Sequence, residues 1–185
     1  MWWLAPQPPH PCGSTGSLLF DDDADKPVDA TPPTWISALE LGIHAAVIPM
    51  DMGADNLLPV PDHGGVVAWY SYGARLGEGG NAVLAGHVDW NSQLGTFWRL
   101  RDAQPGQTIT LYGRAGWAYD YRVEWARSYP EDSVAGLAAL RPLGGAPTIT
   151  LVTCGGRFDA RTRAYEDRHV VRAKLVAQHP WEAPR

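Results

Sequence analysis

The sequence predicts a mainly β domain whose strands close, or nearly close, into an antiparallel barrel carrying one or two short helices. Three observations predict it. The apolar runs are short and rich in β-branched and aromatic residues, turn dipeptides separate them at regular spacing, and little of the chain shows helical periodicity. With 185 residues the chain is about one domain long, and 45% apolar with 19% charged residues excludes collagen-like and fully disordered classes.

Residues 1–34 string together APQPPHPCGSTGS, FDDDADK and PVDATPPT, which offer no apolar period and read as a disordered or linking arm. Order is expected from Trp35, so the barrel domain is placed at 35–177 and a tail at 178–185. Strands are expected over Leu39–Ile48, Gly65–Trp69, Asn81–His87, Gln107–Leu111, Ala118–Arg127, Thr148–Cys154 and Ala164–Val176. Pro105-Gly106, Gly79-Gly80 and Gly144-Gly145 punctuate them. Short helices are expected over Thr96–Arg101 and over Ser133–Leu140, where acidic residues at the start suit the helix dipole.

Charge and cysteine content bound the partners. A net charge of −5 and a pI near 5.6 predict no basic surface, so nucleic acid is not an expected partner. No apolar run approaches the roughly 18 residues of a membrane span, and Met1–Leu4 is too brief for a signal-peptide core. A soluble, monomeric polypeptide is expected. Cys12 and Cys154 stand 142 positions apart and outside any C-x-x-C pair, which rules out a disulfide-rich scaffold or a zinc knuckle. No metal or other cofactor is expected. Cys12, between proline and glycine in the arm, has nothing nearby to lower its pKa and reads as incidental. Nine Trp and seven Tyr against three Phe would suit a groove of amphipathic rings, although a β core uses the same residues.

Three segments could carry chemistry. In Ala82-Val83-Leu84-Ala85-Gly86-His87-Val88-Asp89 an apolar strand delivers a histidine beside a glycine, and alternation puts His87 on the face of Val83 and Ala85, with Asp89 following on that side. A histidine at a strand end can equally be structural. In Thr148–Gly156 a β-branched strand ends at Cys154 before two glycines, a better place for attack on a substrate than the middle of an apolar run. A small buried hydrophobe is the alternative there. In Arg157–Val171, strand pairing across the loop carries Arg168 back toward Cys154, where a permanent cation offers donors to a developing oxyanion. Arg157, Arg161 and Arg163 read as solvated.

Together NAVLAGHVDW, TITLVTCGG and YEDRHVV, with the arginine 14 residues after the cysteine, resemble the motifs of sortases, the cysteine transpeptidases of Gram-positive surfaces. The stretches from Ile48 to Asp89 and from Phe97 to Gly113 look like the class F group, and the likeness runs from about Pro32 to Leu175. The resemblance implies an eight-stranded sortase barrel. No acidic loop is strong enough for a calcium site of the kind one sortase class uses, so metal independence is expected. The resemblance implies that Cys154 attacks the Thr-Gly bond of an LPXTG-type sorting signal to form a thioacyl enzyme. His87 protonates the departing amine and later takes a proton from the incoming one, and Arg168 orients the signal and holds the oxyanion. Thr153 assists through its hydroxyl or backbone, with Asp89 and Trp90 in support. It implies a peptidoglycan-type amine acceptor and an extracytoplasmic, cell-surface location. Sortases normally carry an N-terminal membrane anchor, where this chain has its proline-rich arm. Two other readings are a chymotrypsin-like cysteine protease, which needs two barrels and usually Gly where this chain has Val152, and a non-catalytic wall-glycan-binding barrel using Trp90, Trp98, Trp117 or Trp125.

Overall fold

The computed structural model describes residues 30–51, 53, 58–114, 116–141 and 144–181. Residues 1–29 of the expected arm, Cys12 among them, and the last four residues of the tail lie outside these. The strands are β1 (Pro33–Ala38), β2 (Ile43–Met50), β3 (Val66–Tyr70), β4 (Gly80–Gly86), β5 (Asp89–Trp90), β6 (Gln93–Leu94), β7 (Thr108–Gly113), β8 (Trp117–Pro130), β9 (Pro147–Asp159) and β10 (Ala164–Pro180). Among the described residues a single α-helix, α1 (Val134–Ala139), interrupts them. Eight strands close into a barrel in the order β1-β2-β3-β4-β9-β10-β8-β7, and β5 with β6 forms a separate hairpin.

The barrel is not antiparallel throughout, as the turn-punctuated sequence suggested. β2 pairs parallel with β3 and β4 pairs parallel with β9. Parallel neighbours need a crossover rather than a tight turn, and the residues between Met50 and Val66 and the whole of β5 to α1 provide the two crossovers.

Local chemistry explains the other differences. β1 begins inside the expected arm, at Pro33, where a missing N–H is tolerated at the first residue of a strand. The expected strand at Leu39 starts late, because Leu39–Leu41 forms one 3-10 turn closed by Gly42 at φ 64°, a left-handed position natural to glycine. The turn lets Ala38 pair with Ile43. Ser133 caps α1, its Oγ accepting from the Gly136 N–H at 3.3 Å. The helix expected at Thr96–Arg101 shrinks to a 3-10 turn at Leu100–Asp102. Its upstream N–H groups are engaged elsewhere: Gly95 donates to Val88, Thr96 to Gly64 and Phe97 to His87, each at 2.9 Å.

Two apolar clusters hold the fold. Ile36, Leu84, Phe97, Leu111, Tyr121 and Leu151 belong to the larger one inside the barrel, each almost fully buried, and each such side chain contributes about 1.5–3 kcal/mol. Ala68, Val83, Ala85, Val152 and Val170 form the second, on the other face of β3, β4, β9 and β10, against Leu58, Tyr72 and Leu140. β4 is therefore apolar on both sides, which is why its sequence runs without alternation.

Candidate active site

The parallel pairing of β4 and β9 is what assembles the site. Strands running the same way finish at the same edge, and the register sets Ala85 beside Val152. One step further, Thr153 Oγ1 donates to the Gly86 carbonyl at 2.7 Å. Two more residues of alternation past Ala85 and Val152 put His87, one residue beyond the end of β4, and Cys154, within β9, on one face. The strand expected to end at Cys154 runs on through both glycines to Asp159, held by its pairing with β10. β10 then pairs antiparallel with β9, with Arg168 directly opposite Cys154. His87, Cys154 and Arg168 thus form a row across β4, β9 and β10, beyond the second apolar cluster. The sequence placed these three on separate segments, and the fold brings them to one cleft of about 410 Å³ that also involves Asp89, Trp90 and Tyr165.

Each side chain is oriented by neighbours. His87 Nε2 lies 2.7 Å from the Pro61 carbonyl oxygen. A carbonyl only accepts, so Nε2 carries a proton and Nδ1 is the nitrogen left for chemistry. The Trp90 ring packs against the imidazole at 4.6 Å between centroids. It is placed there by the β5–β6 hairpin, whose Asn91 and Ser92 both take positive φ (49° and 64°), as a type I′ turn requires. Glycines make room on either side: a Cβ on Gly86 would meet the Phe97 ring at 2.9 Å, and one on Gly95 would collide with the His87 carbonyl.

Arg168 has five N–H donors. Nη1 donates to the carbonyls of Tyr165 at 3.3 Å and Asp167 at 3.0 Å, and Nη2 to the Glu131 carboxylate. Three donors are used, which leaves Nε–H and one Nη2–H without a partner among these contacts. Cys154 is half-buried, and burial pushes its thiol pKa up, more than the Arg168 charge pulls it down, while Glu131 and Asp89 push it further up. The resting sulfur is therefore mainly the neutral thiol at neutral pH.

Asp89 is exposed and accepts a hydrogen bond from the Tyr165 hydroxyl at 2.9 Å, tying the β5–β6 hairpin to β10. Thr153 is buried and its hydroxyl is committed to Gly86, leaving its backbone for any substrate contact. Replacing Thr153 by valine should strand that buried carbonyl and cost about 1–3 kcal/mol, measurable as a fall in the urea midpoint of unfolding. A second cavity of about 450 Å³ also reaches Cys154, past Phe97, Trp98 and His169, and shares Val88 and Tyr165 with the first. His169 is buried, with Nδ1 2.9 Å from Ser128 Oγ, and burial lowers its pKa. None of Trp90, Trp98, Trp117 and Trp125 is fully exposed, and Trp98 and Trp125 lie under the guanidinium groups of Arg101 and Arg127 at 4.3 and 5.0 Å.

Pro61, Glu131 and Tyr165 were not singled out from sequence. Pro61 acts through a backbone oxygen, which no side-chain pattern encodes. Glu131 sits in an acidic turn that resembles an ordinary helix start, and Tyr165 looks like one more strand aromatic.

Several solved structures share this architecture. Sortase A of Listeria monocytogenes is 20% identical over 83% of this chain and 92% of its own, with a TM-score of 0.57. The SrtA sortase of Actinomyces oris is 21% identical over 84% of this chain and 86% of its own, with a TM-score of 0.62. Sortase C of Streptococcus pneumoniae is 16% identical over 82% of this chain and 68% of its own, with a TM-score of 0.58. At these identities the likeness is one of fold. No curated protein matches the chain. The family match is independent of those structures: the sortase domain profile spans residues 36–176, from β1 through all but the end of β10, and so covers every strand of the barrel. The chain belongs to the sortase family.

Proposed function

We propose that the protein is a class F cysteine transpeptidase that cleaves an LPXTG-type sorting signal between Thr and Gly and transfers the acyl part to a peptidoglycan-type amine outside the cytoplasm of a Gram-positive cell. The observation that carries this is the row of His87, Cys154 and Arg168 across three neighbouring strands at one barrel edge. The class assignment rests on the sequence stretches around His87 and after Phe97. Among the described residues no helix is long and apolar enough to cross a membrane, so the location rests on the family.

The side chains divide the reaction between them. The Cys154 thiolate attacks the threonine carbonyl, and the oxygen gathers charge against the two unspent Arg168 donors. The His87 imidazolium, held by the Pro61 carbonyl, gives a proton to the glycine nitrogen as the C–N bond breaks. A thioester on Cys154 remains. Mixing the protein with an LPXTG peptide and a short amine, then reading masses, should show the thioacyl enzyme and a ligated product. Release of no glycine-bearing fragment would end the proposal.

Competence requires thiolate and imidazolium together, so the rate should follow a bell across pH. The rising limb is ionisation of Cys154. Since burial raises that pKa, alkylation by iodoacetamide should have its midpoint above that of a free thiol. Glu131→Gln removes one charge that raises it, and should move the midpoint down. A midpoint below a free thiol's in the unaltered protein would contradict the burial assignment.

A further inference from the structure

Resting on the transpeptidase reading, we infer that the cleft beside His87 selects an acceptor whose primary amine is accompanied by a carboxylate, with Asp89 engaging the amine and Arg163 the carboxylate. Acylation of Cys154 and aminolysis of the thioester are one path run in two directions. The group that protonates the departing amine must therefore be the one that deprotonates the incoming amine, and the two nitrogens occupy one position. That position is next to His87. The acceptor's flanking atoms then lie against Asp89, Trp90, Phe158, Arg163 and Tyr165.

Two walls of this cleft carry opposite charges. Asp89, on the β5–β6 hairpin, spends one oxygen on the Tyr165 hydroxyl and keeps acceptor capacity on the other. The loop joining β9 and β10 and the strand ends beside it hold several arginines with different fates. Arg157 pairs with Glu166, Arg161 lies 4.0 Å from Asp159, and Arg168 of β10 pairs with Glu131. Arg163, exposed at φ 57° in that loop, lines the cleft and has no ion pair among the described residues. A purely cationic acceptor would meet an uncompensated guanidinium there, whereas a carboxylate would neutralise it. Phe158 and Tyr165, with ring centroids 5.1 Å apart, supply an apolar wall for the atoms between the two charged ends.

The chemistry balances without another reactant. The acceptor nitrogen, uncharged after losing its ammonium proton to solvent, attacks the thioester carbon. The C–N bond forms as the C–S bond breaks with its electron pair on sulfur, and the N–H proton passes to His87. Thiolate and imidazolium are restored.

The test forms the thioacyl enzyme from the full chain and an LPXTG peptide, then offers diglycine or diglycinamide, amines of similar basicity with and without a carboxylate. The readout is the ratio of ligated to hydrolysed product. We expect diglycine to be favoured by about tenfold, the scale of one charge-assisted hydrogen bond. Arg163→Gln should erase the preference, and Asp89→Asn should lower the ratio for both amines. Equal ratios in the unaltered protein, or a preference that survives Arg163→Gln, would overturn the inference. Failure of the transpeptidase reading looks different, since no thioacyl mass would form before any amine is added.

Discussion

Replacing Cys154 by alanine is expected to remove thioacyl formation, hydrolysis and ligation together, with the folded barrel retained. The side chain is half-buried within β9, and its neighbours Thr153 and Gly155 keep their strand pairing in the variant. Little stability is at stake, about 1 kcal/mol or less for so small a truncation outside the main core. The chemical loss is of another order. Sulfur is the atom that forms the covalent intermediate, and deleting a nucleophile that works as a unit with its base and oxyanion donor removes about 10³-fold or more. Two measurements separate the cases: a thermal unfolding curve, expected unchanged within a few degrees, and the mass of the enzyme after exposure to an LPXTG peptide, expected without an adduct. Alkylating the unaltered protein should reproduce the loss, and Cys12→Ala should not. Substantial turnover by Cys154→Ala would refute the proposed chemistry. A glycan-binding barrel, by contrast, would keep its ligand after alkylation, because no part of indole stacking depends on the thiol.

What the sequence disclosed and what it withheld follow from the range of the interactions concerned. Cys154 was legible because local features mark it: a β-branched run followed by Cys-Gly-Gly is readable within nine residues, although the strand itself continues past the glycines to Asp159. His87 was legible for the same reason, from Ala85-Gly86 before it. The strand alternation that sets their side-chain face is local as well. The partnership between strands is not. Nothing in Thr148–Cys154 says that β4 lies alongside it in parallel, and the parallel register is what sets His87 next to Cys154 rather than at the far end of the barrel. β1 was hidden by composition, since Pro33 sits in a proline-rich stretch while its strand pairing depends on β2 and β7. The 3-10 turn at Leu100 replaced a helix because three N–H groups upstream found distant acceptors. Backbone oxygens such as that of Pro61, and ion pairs such as Arg168 with Glu131 across 37 residues, are outcomes of the closed barrel. A single sequence shows the residues and not their meeting.

Replacing Arg168 by alanine is expected to slow acylation by about 10²–10³-fold, the cost of deleting an oxyanion donor. The geometry separates two contributions to that loss. One is direct: the two free guanidinium donors no longer meet the carbonyl oxygen of the scissile bond. The other acts through sulfur, because Arg168 is the charge that lowers the Cys154 pKa while Glu131 raises it. Without the arginine, Glu131 loses its partner and the thiolate becomes scarcer at neutral pH. The midpoint of iodoacetamide alkylation should therefore move up in Arg168→Ala. Adding Glu131→Gln should bring that midpoint back while leaving the oxyanion deficit, so the double variant should alkylate nearly as readily as the unaltered protein and still acylate slowly. Lysine at position 168 should restore the charge but not the rate. Its three donors radiate from one flexible nitrogen, whereas the guanidinium is a planar fork pinned by the Tyr165 and Asp167 carbonyls. If Arg168→Lys acylates within threefold of the unaltered enzyme, charge alone is sufficient and the assigned donor geometry is wrong. If Arg168→Ala loses acylation only in step with a lowered unfolding midpoint, the side chain serves the β9–β10 pairing instead of the reaction.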